Sequence, residues 1–193
     1  MEVKELFEQA YDKQCAGQYK EAIEDYNKVL EMDKEFERAI VQRACCKFQL
    51  EDYKSALTDF KQAMILNPND ATTYLNASHA LYKLNNENTD ITYLDKAIEL
   101  DNNMHEAYFM RGVAYSHREE YNLAIEDLTR AIAIEPTWSA YYVVRGNCYK
   151  WLDEYDKAIA DYKKTKELGG CKEIDLDEKI ADCMQYMEET QLS

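Results

Sequence analysis

Apolar and polar positions alternate along this chain with the period of an amphipathic helix, and short polar breaks interrupt the pattern at regular intervals. The clearest stretch runs from His105 to Trp138 and reads HEAYFMRGVAYSHREEYNLAIEDLTRAIAIEPTW. Tyr108, Gly112 and Tyr115 are spaced to share one face of a first helix. Arg118, Glu119 and Glu120 then break the pattern. From Tyr121 to Ile134, residues Ala124, Ile125, Leu128, Ala131 and Ile132 form the apolar side of a second helix. Pro136 ends it, because proline has no N–H to donate and restricts the residue before it. The stretch predicts a helix hairpin with Gly112 where the two helices must come close.

The pattern recurs in register. Residues 37–70 carry Ile40, Ala44, Tyr53, Ala56, Phe60, Ala63 and Pro68 at the equivalent positions. Residues 139–172 carry Tyr142, Gly146, Tyr149, Tyr155, Ala158 and Tyr162; residues 3–36 carry Ala10, Gly17, Tyr19, Ala22 and Tyr26. Residues 71–104 carry Tyr74, Ser78, Leu81, Leu94 and Ala97. Five units therefore abut from Val3 to Lys172. Gly169-Gly170 closes the last of them, as glycines do in left-handed caps. Beyond it, Leu176, Ile180, Cys183 and Met187 line one face of a further amphipathic helix.

This order of an aromatic, a small residue, Tyr, Ala, an aromatic, Ala and Pro, at a period of about 34 residues, resembles the tetratricopeptide repeat (TPR) family. The resemblance implies an all-α, right-handed α-solenoid. It assigns residues 1–172 to a five-repeat domain (3–36, 37–70, 71–104, 105–138 and 139–172) and 173–190 to a C-terminal capping helix over the open apolar edge. It also implies a non-catalytic protein–protein interaction module, an adaptor or scaffold. The scaffold serves many partners and names none.

Two repeats depart from the pattern. In the first, Gln9 and Lys13 replace a large apolar residue and a Tyr, as suits the outer face of a terminal repeat. In the third, Glu87 replaces the turn Tyr, and Asp90 takes the place of Ala22, Ala56, Ala124 and Ala158. A buried unpaired carboxylate would cost several kcal/mol. The expectation is that the second helix starts late, capped by Asn88, Thr89 or Asp90.

Composition narrows the function. A net charge of −15 repels phosphate backbones, so nucleic acid is not an expected partner. The six cysteines contain no C-x-x-C pair, and Cys46 and Cys148 share a small packing position, as reduced core thiols would. The N-terminal MEVKELFEQAYDK is charged throughout, unlike a secretory signal. No apolar run is long enough for a membrane span. The expected setting is cytoplasmic, with no membrane partner.

In the resembling family, first helices line a concave surface and present set repeat positions to ligands. In this sequence the partner-binding candidates of the first two repeats are Phe7, Tyr11, Arg38, Val41 and Phe48. Those of the third are Leu75, Asn76, His79, Tyr82 and Lys83; those of the fourth are Phe109, Met110, Val113 and His117; those of the fifth are Val143, Asn147, Lys150 and Trp151. Lys4, Arg38, Lys83 and Lys150 against Glu106 make this face mildly basic on an acidic body. It suits a helix or extended peptide with apolar anchors and some acidic residues. No frame of this chain has the charges of the carboxylate clamp that the family uses for chaperone tails; the frame starting at the second repeat reads Val41, Cys45, Asn76, Glu106 and Met110. A chaperone tail is therefore disfavoured.

An enzyme is not expected, nor a metal or cofactor. His79, His105 and His117 belong to no metal-binding pair, and no glycine-rich phosphate loop is present. Cys45 and His79 share a repeat position and could approach one another, most simply as groove lining. Two other readings stay open: a self-assembling subunit, a homo-oligomer that the sequence allows without indicating, and a regulatory arm of a separate enzyme.

Overall fold

Every regular element in the computed structural model, which describes residues 2–85, 90–170 and 175–191, is a helix. The helices are α1 (Val3–Cys15), α2 (Tyr19–Met32), α3 (Glu37–Gln49), α4 (Tyr53–Leu66), α5 (Ala71–Asn85), α6 (Thr92–Leu100), α7 (His105–His117), α8 (Tyr121–Ile134), α9 (Ser139–Trp151), α10 (Tyr155–Glu167) and α11 (Leu176–Gln191). They divide into two compact units, Met1–Asn102 and Asn103–Ser193. In the first unit α1–α2, α3–α4 and α5–α6 form successive hairpins; in the second, α7–α8 and α9–α10 do so and α11 packs on α10. This is the all-α hairpin order the periodicity predicts.

The polar breaks inside the hairpins are left-handed turns. Gly17, Glu51, Glu119 and Asp153 hold the same repeat position and have φ of 75°, 62°, 62° and 58°. The residue after each donates its N–H back to the last turn of the first helix: Gln18 to Lys13, Asp52 to Lys47, Glu120 to Tyr115 and Glu154 to Tyr149, all at 2.9 Å. This closure satisfies carbonyls that the helix end would otherwise leave open. Only Gly17 adopts the conformation without steric cost.

Small residues set the hairpin spacing. A Cβ added to Gly112 would lie 3.0 Å from Leu128 Cγ, and one added to Gly146 would lie 2.8 Å from Tyr162 Cε1. Ala22, Ala56, Ala124 and Ala158 on the second helices are fully buried, beside Tyr26, Phe60, Leu128 and Tyr162.

An ionic ladder runs through the same interfaces. Asp25, Asp59, Asp127 and Asp161 are buried on the second helices. Arg43 grips Asp59 with two bonds of 2.8 and 2.9 Å, Arg111 grips Asp127 at 2.7 and 2.8 Å, and Arg145 grips Asp161 at 2.8 Å twice. Arg43 and Arg145 also reach the preceding hairpin, at Asn27 Oδ1 (2.7 Å) and Thr129 Oγ1 (3.0 Å). The first repeat corrects the outward role expected of Lys13. Its ammonium turns inward to pair with Asp25, which Lys28 also holds, at 2.6 Å. Those two lysines keep the Asp25 carboxyl below the usual carboxylate range. Gln9 stays exposed.

In the third repeat both ladder partners are apolar or aromatic: Ala77 stands in the arginine position and Tyr93 in the aspartate position. Its second helix does start late, at Thr92, and has 9 residues against 13 or 14 elsewhere. Asp90 is exposed and its Oδ1 accepts the Thr92 N–H at 3.0 Å, so the carboxylate escapes burial. The other cap candidates, Asn88 and Thr89, lie with the rest of residues 86–89 outside the described residues. α5 continues to Asn85, the position at which the other first helices have already turned left-handed.

α11 buries Leu176 and Cys183 against Val143, Ala158, Ile159 and Tyr162. Its Ile180 occupies the place of Gly112 and Gly146 and packs half-buried on the same cluster.

Candidate functional site

The first helices of the second unit, with α11, surround an open cleft of about 710 Å³. α7 lends Val113, Ser116 and His117; α9 lends Val144, Asn147, Lys150 and Trp151. Asp153 and Tyr155 close one end, and α11 contributes Lys179 and Tyr186. Trp151 ends α9 and is 71% exposed, yet one ring face is fixed by a parallel stack on Tyr121, centroids 6.1 Å apart. Tyr155 stacks on Tyr186 at 5.7 Å and donates its hydroxyl to Asp153 Oδ1 at 2.6 Å. That bond to a carboxylate, followed by desolvation, pushes the Tyr155 phenol up to about 12.

The polar side of the cleft holds two groups of paired side chains. Lys150 pairs with Asp182 at 3.0 Å and lies 5.7 Å from the centre of the Tyr186 ring. Asn147 Oδ1 accepts two hydrogen bonds, from the Tyr162 hydroxyl at 2.9 Å and from Lys179 Nζ at 3.1 Å. Lys179 also sits 5.7 Å from the centre of the Tyr162 ring. Apolar surface, a rigid aromatic and cationic donors suit a binding surface. Burial pushes the nearby Cys148 and Cys183 thiols up, which keeps them protonated and poorly nucleophilic.

The first unit holds a smaller cleft of about 130 Å³, lined by Cys45, Phe48, Gln49, Phe60, Asn76 and His79. Cys45 and His79 do line one space, as their shared repeat position predicts. Burial pushes the Cys45 thiol up to about 11, so it is no thiolate. Among the described residues no group of three or more His, Cys, Asp or Glu could hold a metal ion.

The structure sorts the sequence candidates by where their side chains lie. Val113, His117, Asn147, Lys150 and Trp151 meet in the larger cleft, and Phe48, Asn76 and His79 in the smaller. Tyr11, Arg38 and Lys83 are exposed, and Tyr82 and Met110 half-buried, away from both clefts. Phe7, Val41, Leu75 and Val143 require correction: they are core, not groove lining. Phe7 is 1% exposed, wedged against Tyr26 and Phe36 beneath the Arg38 guanidinium, 4.8 Å from its ring centre. Phe109 is half-buried against Tyr141 and Trp138, with centroids at 5.0 and 6.3 Å. This repeat position points at packed neighbours, because the aromatic or aliphatic side chain there fills the space between helices.

Reading the sequence by position missed Val144, Tyr155, Lys179 and Tyr186. A signal for Lys179 existed. It stands in the repeat position of Arg43, Arg111 and Arg145, and Leu176 in that of Tyr108 and Tyr142, so α11 continues the register of the first helices.

Comparison with known proteins places this geometry. The tetratricopeptide repeat family model matches residues 16–36, 37–70, 71–104, 105–137 and 139–168. Among solved structures, MamA from Desulfovibrio magneticus RS-1 aligns with a TM-score of 0.80 at 21% identity, covering 86% of this chain and 94% of its own. YrrB, a TPR protein with an unusual peptide-binding site, gives 0.74 at 21% identity over 84% of each chain. PilW, a type IV pilus biogenesis factor, gives 0.77 at 22% identity over 98% of this chain and 91% of its own. At such identities the likeness is one of fold. No curated protein sequence matches the chain.

Proposed function

Because this chain belongs to the tetratricopeptide repeat family, we propose that it is a non-catalytic protein–protein interaction module, an adaptor or scaffold, whose second unit takes a partner peptide or helix in the cleft between α7, α9 and α11. The observation that carries this reading is Trp151. A large ring 71% exposed, yet already stacked on one face, loses little conformational freedom when a partner covers the other. Desolvated aromatic anchors dominate interface energies. YrrB, described as having a peptide-binding site, gives the same scaffold a precedent for such a ligand. The chain's net charge of −15 opposes nucleic acid, and no helix among the described residues is long and apolar enough to cross a membrane. Five cysteines of the described residues are free thiols, which supports a reducing, cytoplasmic setting.

The chain has two tryptophans, so Trp138→Phe leaves Trp151 as the sole indole reporter. Peptides selected by display on the intact protein should shift Trp151 emission to the blue. Trp151→Ala should weaken the same peptides by roughly 2 kcal/mol with little change in melting temperature. Peptides that bind equally well to Trp151→Ala would place the partner on another surface.

A further inference from the structure

We infer that the partner segment carries an internal Asp or Glu whose carboxylate is received by Asn147 and Lys179, next to the apolar side chain that covers Trp151. The inference rests on the peptide-binding reading above and adds the chemistry of the ligand.

The hydrogen bonds around Asn147 decide which end of its amide is available. Both acceptor sites of Oδ1 are occupied, by the Tyr162 hydroxyl at 2.9 Å and by Lys179 Nζ at 3.1 Å. A hydroxyl and an ammonium directed at one atom fix that atom as the oxygen, so the amide nitrogen is left with two N–H donors. No protein acceptor takes them among the described residues. Lys179 spends one donor on Asn147 and has two more. The site therefore offers donors only, and its complement is an acceptor with negative charge.

The repeat register shows why Lys179 has no carboxylate partner among the described residues. The other cations at this repeat position, Arg43, Arg111 and Arg145, are each neutralised by an aspartate of the following helix. α11 has no such helix packed after it among the described residues, and Lys179 pairs with no carboxylate there. The neighbouring acids are engaged: Asp182 by Lys150 and Asp153 by the Tyr155 hydroxyl. A chain of net charge −15 thus keeps an unneutralised ammonium at the wall of its larger cleft. One lysine beside one amide suits a side-chain carboxylate, whereas a chain terminus would call for a guanidinium fork or a second free cation.

The test uses the Trp138→Phe protein and short degenerate peptide pools with a fixed central Phe. The flanking polar positions are Asp/Glu in one pool, Asn/Gln in a second and Lys/Arg in a third. Binding is read from Trp151 emission. The acidic pool should bind about tenfold or more tighter than the isosteric amide pool, as expected for a charge-assisted hydrogen bond. Lys179→Met should erase that preference while Lys179→Arg keeps it, with melts showing that α11 remains docked. Equal binding of acidic and amide pools would overturn the carboxylate site and leave the peptide reading standing. Tighter binding of the basic pool would also overturn it, since the acidic body would then be choosing the ligand. No binding by any pool would sink both readings.

Discussion

The hairpins α5–α6 and α9–α10 solve the same packing problem by opposite means. In α9–α10 a bidentate pair, Arg145 with Asp161, crosses a helix contact close enough to require Gly146. In α5–α6 the pair is replaced at both ends, by Ala77 and Tyr93, and the glycine position holds Ser78. Ser78 Oγ is buried and makes no hydrogen bond among the described residues. The second helix shrinks from 13 residues to 9. A nearly buried ion pair gains from Coulomb attraction only what desolvation leaves, so exchanging both partners for packed side chains is tolerable, while removing one leaves a stranded charge. Between these two hairpins, therefore, the pair is kept or replaced as a whole.

Breaking that pair should give the largest effect. Asp161→Ala should destabilise the protein by about 3 kcal/mol, because Arg145 is left largely buried without its partner. The double change Arg145→Ala, Asp161→Tyr, which copies α5–α6, should recover most of the loss. Denaturant melts of the wild type, Arg145→Ala, Asp161→Tyr and the double variant form the cycle that measures the coupling. A double variant as unstable as the sum of its singles would show that the pairs are independent of the packing around them.

A smaller effect is expected at the crossing point. Gly146→Leu should cost about 2 kcal/mol, since even its Cβ would lie 2.8 Å from Tyr162. Ser78→Ala in the other hairpin should instead be neutral or stabilising, by up to about 1 kcal/mol, because it removes a buried hydroxyl without a partner. A loss at Ser78→Ala comparable to that of Gly146→Leu would mean that the serine is doing structural work in α5–α6.

The smallest effect concerns the turns. Asp153 sits at φ 58°, so Asp153→Gly should raise stability by about 1 kcal/mol. Loss of the Tyr155–Asp153 bond would offset part of the gain, and Glu119→Gly provides the cleaner comparison. Thermal melts that move downward in both variants would argue that the left-handed residue is not strained.

Much of the fold was legible because helix hairpins repeat their burial pattern locally. Tyr108, Gly112 and Tyr115 announce a helix face, and Asp90 in an alanine position announces a helix that must start late. Other features needed information the pattern does not carry. The glutamates and aspartate in left-handed turns were visible only as a polar break, since sequence polarity does not report φ. The Arg–Asp pairs recur at constant spacing, at Arg43 and Asp59 and again at Arg145 and Asp161. They read as ordinary surface charge until the helices are brought together. At the candidate site, Trp151, Lys150 and Asn147 were named from position alone. Phe7 and Val143 were named by the same rule and proved to be core, because how far a side chain projects depends on how tightly the next helix closes over it.

By itself, then, the sequence determined the helical class, the register of five hairpins and one further amphipathic helix, and where the helices must approach closely. These follow from periodicity and side-chain volume, which are local properties. Only the tertiary structure decided which way each polar group is committed. Lys13 turns inward to Asp25, Lys150 is spent on Asp182, and Asn147 presents its donors because Tyr162 and Lys179 take its oxygen. Those choices join residues far apart in the chain, and a hydrogen bond's direction exists only once both of its partners have been placed.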